Sequence, residues 1–256
     1  MVDYRKLRLS NLTSPEYRHV LLLLFWIAHG ILFAAVERVI PRAVWHPVWC
    51  PLDDLIPFCE WFFIPYMFWF VFLVGMHLYL LLFDVPAFKR FMYFIMLTYG
   101  VTMVIYLIYP TCQELRPTSF PRDNFMTRFV AMFYQYDTNT NVCPSIHCLG
   151  SMAVAFAAWD TERFRKPLWK AAFFAMALLI SVSTVFVKQH SVLDILAALP
   201  LCVFYAAGDE FHQSFTEGRG PSPVDVCIDS AGALVMWGLL ALWERVRKPR
   251  SSLSKE

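Results

Sequence analysis

Lys188-Gln189-His190-Ser191-Val192-Leu193-Asp194 parts two long apolar runs, 168–188 and 192–208. A histidine and a carboxylate four residues apart share one face if this stretch opens a helix. An imidazole at the edge of a membrane-length apolar run is costly unless it has a task. A second stretch has the same character. Pro144-Ser145-Ile146-His147 stands at the start of another apolar run, and Arg116 in Leu115-Arg116-Pro117 lies upstream of it.

The surrounding chain is membrane-like. Of 256 residues, 58% are hydrophobic, 17% aromatic and only 16% charged, against about 25% charged in a soluble domain. The apolar residues come in blocks. A bilayer-spanning helix needs about 20 of them. The spans expected are 19–37, 61–83, 91–110, 145–159, 168–188, 192–208 and 226–243, the fourth and sixth of them short. The fold class is therefore all-α, a polytopic transmembrane helical bundle with six or seven spans. Residues 41–57 read as an interfacial loop, with Trp45 and Trp49 as belt residues. The net charge of +2 gives no reason to expect nucleic acid. Membrane lipids are the expected surroundings.

Lysine and arginine placement orients the spans. Arg5, Lys6, Arg8 and Arg18 precede the first span, Lys89 and Arg90 follow the second, and Arg163, Arg165, Lys166 and Lys170 follow the fourth. With alternating spans these lie on one side, the cytoplasm. Residues 111–144 and the start of the sixth span then face outward, so His147 and His190 meet at the outer surface of a multi-pass cell-membrane protein. The basic tail, with Arg245, Arg247, Lys248, Arg250 and Lys255, opposes seven alternating spans.

Seven cysteines form no CxxC or zinc-type cluster. They read as small packing residues. Cys112 and Cys143 bracket the Arg116 stretch and could pair in an oxidising space. His19, His29, His46 and His77 read as packed or interfacial, with His77 inside a span a functional candidate by default.

Cleavage of a phosphate ester needs a nucleophile, an acid for the leaving oxygen, and donors for the equatorial oxygens. His190 can attack through one ring nitrogen while Asp194 holds the other. His147 can be the acid. Ser145 can cap a helix whose free N–H groups favour phosphate. Arg116 offers a fork for two oxygens, and Lys188 can add charge.

These motifs resemble the phosphatidic acid phosphatase type 2 / haloperoxidase superfamily. That family carries a lysine separated by six residues from Arg-Pro, then Pro-Ser-Gly-His, then Ser-Arg followed by His and Asp. Arg116-Pro117, Pro144-Ser145-Ile146-His147, and Ser183 with His190 and Asp194 match in order and spacing over about 60–200. The resemblance implies that His190 becomes a phosphohistidine, Asp194 orients it, His147 is the acid, and Arg116, Ser145 and Ser183 bind phosphate, without metal or cofactor. Three positions depart: Ile146 stands for Gly, Tyr109 for the first lysine and Thr184 for the arginine. In this the chain is similar to the branch of lipid inositol-phosphate transferases.

The last quarter resembles VanZ-like membrane proteins through Asp209, Glu210, Gln213, Gly218, Arg219, Asp225 and Gly232, with Asp229 for the family's asparagine. That family is associated with glycopeptide antibiotic resistance. The expected organisation is a first span and interfacial loop over 1–60, a catalytic membrane domain over 61–205, a VanZ-like hairpin over 206–245 and a basic tail over 246–256. The expected activity is hydrolysis of a lipid phosphate or pyrophosphate ester. The alternatives are head-group transfer by the same histidines and a non-enzymatic envelope protein. Two histidines and a carboxylate could instead hold zinc, an arrangement ranked below the metal-free one.

Overall fold

The computed structural model describes residues 2–41 and 44–214, with side chains to residue 205. The chain divides into two units, Met1–Ala198 and Leu199–Glu256. The first holds every element described below except the far part of the last helix.

It is mostly helical, as the apolar blocks dictate. α1 (Leu24–Val39) continues a 3₁₀ stretch from Arg18. The short α2 (Pro51–Leu55) follows, then α3 (Phe63–Phe83), α4 (Val85–Ile108), α5 (Phe125–Tyr136), α6 (Ile146–Asp160), α7 (Pro167–Phe186) and α8 (Val192–Ser214). Proline opens α2 and α7 and sits in the first turn of α4, where its missing N–H costs nothing. Asp84 caps α4 by accepting from Ala87 N at 3.0 Å.

Among the described residues four helices are long and apolar enough to cross a membrane: Arg18–Val39, Glu60–Phe83, Val85–Ile108 and Pro167–Phe186. They correspond to the spans expected at 19–37, 61–83, 91–110 and 168–188. The α4 span starts six residues earlier than the periodicity suggested, because the Asp84 cap and Pro86 set its start rather than the end of the Lys89-Arg90 pair. Ile146–Asp160 and Val192–Tyr205 are shorter apolar helices. At 1.5 Å per residue, the 15 residues of α6 reach about 22 Å, short of a hydrocarbon core of about 30 Å. The expected span 226–243, the Arg219 cluster and the basic tail lie outside the described residues.

α6 packs against α7, α4 and α3, and α3 against α7 and α4. Tyr66, Tyr99, Tyr106, Phe88 and Ile180 are fully buried between them. Apolar side chains also face outward, among them Ile31, Val71, Leu78, Val104 and Leu178. An exterior of this kind suits lipid rather than water.

Two ends of the helix cluster are distinct. At one end Arg90 pairs with Asp160, and Tyr4 donates to Leu81 O at 2.6 Å, so the N-terminal stretch, the α3–α4 turn and the end of α6 gather there. The other end is made of loops. His46–Pro47 and Thr111–Cys112 form a two-residue parallel ladder, which fastens the 41–57 loop to the chain leaving α4. α5 is an amphipathic helix that the apolar-block reading passed over. Its capping box at Asn124 and Thr127 is visible in sequence. The fully buried Glu60 accepts from Arg122 Nη2 and Asn124 Nδ2, both at 2.8 Å, and so moors α5 to the start of α3. Cys112 and Cys143, expected from the sequence to be able to pair in an oxidising space, are both free thiols.

Candidate active site

The loop end brings the two histidine stretches together by backbone first. Ser145 N donates to Asp194 O at 2.9 Å. Ser145 caps α6, its Oγ accepting from Cys148 N at 3.4 Å. Two tyrosines of α4 hold the same turn: Tyr106 donates to Pro144 O at 2.6 Å and Tyr99 to Ile146 O at 2.9 Å. On the other side, Thr184 O at the end of α7 accepts from both Gln189 N and His190 N. His190 is thus fixed between the end of one helix and the start of the next.

The side chains follow. His190 Nδ1 lies 2.9 Å from Asp194 Oδ2, which also accepts from Ser191 N at 2.9 Å. His190 Nε2 lies 3.3 Å from His147 Nδ1. Both rings and Asp194 are buried. A carboxylate on Nδ1 holds the proton there and leaves the Nε2 lone pair facing His147. His147 is sandwiched by aromatics, with ring centroids 4.7 Å from Tyr66 and 4.5 Å from Trp69. Gly150, one turn along α6, is what lets Trp69 and the Tyr99 hydroxyl approach this helix. A Cβ there would stand 2.6 Å from Tyr99 Oη and 3.0 Å from Trp69 Nε1.

Arg116 lies in the same corner. Its guanidinium sits over the Tyr134 ring at 4.4 Å. It donates to Gln189 Oε1 from Nε at 3.0 Å and from Nη2 at 2.5 Å, and to the carbonyls of Tyr134, Asp137 and Thr138. Burial lowers its pKa against the pull of Asp137. Gln189 donates in turn to Asp137 Oδ2 at 2.7 Å, an oxygen that also accepts from Tyr66 Oη at 2.9 Å. Burial holds the Asp137 carboxyl above its ordinary pKa, and the Tyr66 hydroxyl and Arg116 work against that. A continuous polar path therefore runs Arg116–Gln189–Asp137–Tyr66 and ends against the His147 ring.

Two of the expected phosphate binders are turned elsewhere. Lys188, at a left-handed φ of 53°, sends its ammonium to Asp53 O at 2.7 Å and Ile56 O at 2.5 Å. Ser183 donates to Ile180 O at 2.6 Å inside α7. The departures seen in sequence have structural roles: Tyr109 stacks on His46 with centroids 4.0 Å apart, and Thr184 donates to Ser181 O at 2.7 Å. His77 is packed in α3, accepting or donating at both ring nitrogens, to Trp26 Nε1 at 3.0 Å and Leu73 O at 2.7 Å.

Asp53, Asp137 and Gln189 are site residues that sequence reasoning missed. Asp53 is buried in the supposed interfacial loop. It accepts from Cys50 N, from Ser191 Oγ at 2.6 Å and from Val192 N at 2.9 Å. The residues that follow His190 are therefore gripped by a carboxylate nearly 140 positions earlier. A Pro-Leu-Asp-Asp turn gives a capping signal in sequence but no hint of that partner. Burial and the Asp194 carboxylate beside it push the Cys143 thiol far above its ordinary value.

No curated protein and no solved structure matches the chain. A family model described as VanZ/LLP1 matches residues 91–244. That range holds Arg116, His147, His190 and Asp194 as well as the C-terminal stretch where the VanZ-like signature was read. A match over more than half of its length makes the chain a member of the VanZ/LLP1 family.

Proposed function

We propose that the protein is an integral membrane phosphoesterase of the phosphatidic acid phosphatase type 2 kind, acting on a lipid phosphate ester through a phosphohistidine at His190. One observation carries this reading: a buried histidine with a carboxylate on Nδ1 and a second histidine facing Nε2. His190 Nε2 attacks phosphorus, and Asp194 stabilises the imidazolium that forms. His147 protonates the leaving alkoxide and then deprotonates the water that releases phosphate. Arg116, together with the Ser145-capped start of α6, faces the equatorial oxygens. Arg116 would exchange its bonds to Gln189 and the 134–138 carbonyls for phosphate oxygens.

With α6 and α8 counted as crossings and the basic N-terminal, 89–90 and 163–170 segments in the cytoplasm, the histidines lie at the outer face of the cell membrane. Transfer of the phosphoryl-bearing group to an alcohol needs the same residues and differs only in the attacking hydroxyl. The family match favours a second reading, a non-enzymatic VanZ-like membrane protein. Phosphate release from a panel of lipid phosphates by the purified wild type and His190→Ala separates them. The enzymatic reading expects release by the wild type alone; equal release by both refutes it.

A further inference from the structure

α5 has three faces. At about 100° per residue, Met126, Val130, Phe133 and Tyr134 fall on one side, where they pack with Phe63, Tyr66 and Val187. Phe125, Phe129, Met132 and Tyr136 fall within about 60° of one another on a second side, and all four are exposed. Arg128 and Gln135 take a third side, also exposed, and Asp123 holds Arg128 at 3.0 Å. A helix lying on protein with water beyond it needs only a packed face and a polar one. Here three aromatic rings and a methionine form an outward row between those two. An exposed apolar row of this size marks a contact surface.

The moorings of α5 set its level along α3. Arg122 and Asn124, just ahead of α5, hold Glu60. The Phe133 ring lies 5.4 Å from Phe63 and 5.5 Å from Tyr66. Asp137, just after α5, accepts from Tyr66 Oη at 2.9 Å. These partners all stand between Glu60 and Tyr66, at the start of the 24-residue apolar stretch Glu60–Phe83, and they span a rise of about 10 Å. The whole stretch is about 36 Å long against about 30 Å of hydrocarbon, so its first turns reach the head-group zone. In those turns Trp61 and Ile64 are exposed, and the row continues through Phe68 and Val71 into the apolar exterior of the bundle. The outward row of α5 thus stands where that exterior meets the head groups.

We infer that α5 is a membrane-docking helix whose partner is the lipid surface itself. Phe125, Phe129, Met132 and Tyr136 enter the boundary between head groups and acyl chains, while Arg128 and Gln135 face head groups and water. Interfacial helices sink about 5–10 Å into that boundary, a depth that matches the level of the moorings. Tyr136 and Trp61 are of the ring types that favour it. A protein covering the row would have to displace lipid at the level of Trp61 and Ile64. The inner face of the same helix carries Tyr134 beneath Arg116, and the carbonyls of Tyr134, Asp137 and Thr138 hold that guanidinium. The docked helix is therefore also the bed of Arg116. The inference does not depend on the phosphoesterase reading.

The test uses the full wild-type chain in phosphatidylcholine nanodiscs, with part of the lipid carrying an aryl diazirine on an acyl chain. After illumination, the labelled residues are located by mass spectrometry. The inference expects label on Phe125, Phe129, Met132 or Tyr136 within about threefold of that on Trp61 and Ile64, and at least fivefold less on Arg128 and Gln135. Phe129→Ser/Met132→Ser, both at exposed positions, should lower the label on residues 125–136 at least fivefold and leave that on Trp61 and Ile64 unchanged. Label on α3 with none on α5 overturns the inference. So does equal label on all sides of α5, or a dimer in the nanodiscs whose dissociation uncovers the row.

Discussion

Two regions of this molecule bury histidines, and their difference shows what separates a packed imidazole from a reactive one. In the middle of α3, His77 has a backbone carbonyl at Nδ1 and an indole N–H at Nε2, with Phe91 against its ring. Leu73 O takes the Nδ1 proton and Trp26 occupies the Nε2 lone pair, so a neutral ring is satisfied on both sides. At the loop end, His190 has a carboxylate at Nδ1 and another histidine at Nε2. A carboxylate can stabilise a positive ring, which a lone carbonyl does far less well. A second imidazole can give up or take a proton, which an indole cannot. Burial alone therefore says little; the partners decide.

The contrast can be broken most sharply at His190. His190→Ala should reduce turnover to the level of a blank, while His77→Gln, which keeps a donor and an acceptor, should leave turnover within about twofold. Steady-state phosphate release on matched preparations checks both. Equal losses at the two positions would mean that neither histidine has a chemical role. His147→Ala should come next, with a fall of about 10²–10⁴-fold for an alkyl ester, the usual contribution of a general acid. A phenyl ester with a good leaving group should recover most of the first step.

Asp194→Asn keeps the shape and removes the charge. A hydrogen bond to a charged group contributes about 1.5–3 kcal/mol, so kcat should fall about 10–100-fold with little change in KM. Gly150→Ala sharpens the comparison by packing. The added methyl would push Trp69 from its place against His147 and the Tyr99 hydroxyl from the Ile146 carbonyl, at a cost of about 1–3 kcal/mol in stability, read as a lower melting temperature in detergent. The same change at Gly75, where a Cβ meets nothing within 4 Å, should be neutral or stabilising.

The smallest expected effect is at Asp137. Burial raises its carboxyl pKa in the native state. Between the ordinary carboxylate range and that raised value the native protein keeps a proton the unfolded chain has lost, so stability falls as pH rises across this window. Asp137→Asn should flatten that slope, as thermal melts at a series of pH values would show.

Much of this was legible along the chain. Spans appear as apolar blocks because lipid demands them. His147, His190 and Asp194 stand out because their spacing around helix starts is local. What was not legible depends on contacts across long separations. Asp53 looks like one acid of an ordinary Pro-Leu-Asp-Asp helix start, yet its carboxylate grips Ser191 and Val192. Gln189 and Asp137 are unremarkable polar residues until folding links them to each other and to Arg116. Lys188 misled in the opposite direction. Its nearness to His190 suggested a phosphate cation, but the left-handed turn at Lys188 sends its ammonium to the carbonyls around α2. α5 escaped because twelve amphipathic residues within a polar loop lack the long apolar run that marked the other helices.

The most direct measurement is the covalent state of His190. His147→Ala protein, incubated with a phenyl-type phosphate ester and quenched, should carry phosphate on the peptide containing His190 by mass spectrometry, because the first step no longer needs an acid while hydrolysis still lacks its base. Phosphate on no peptide while ester is still being cleaved, or on a residue other than His190, would contradict the account.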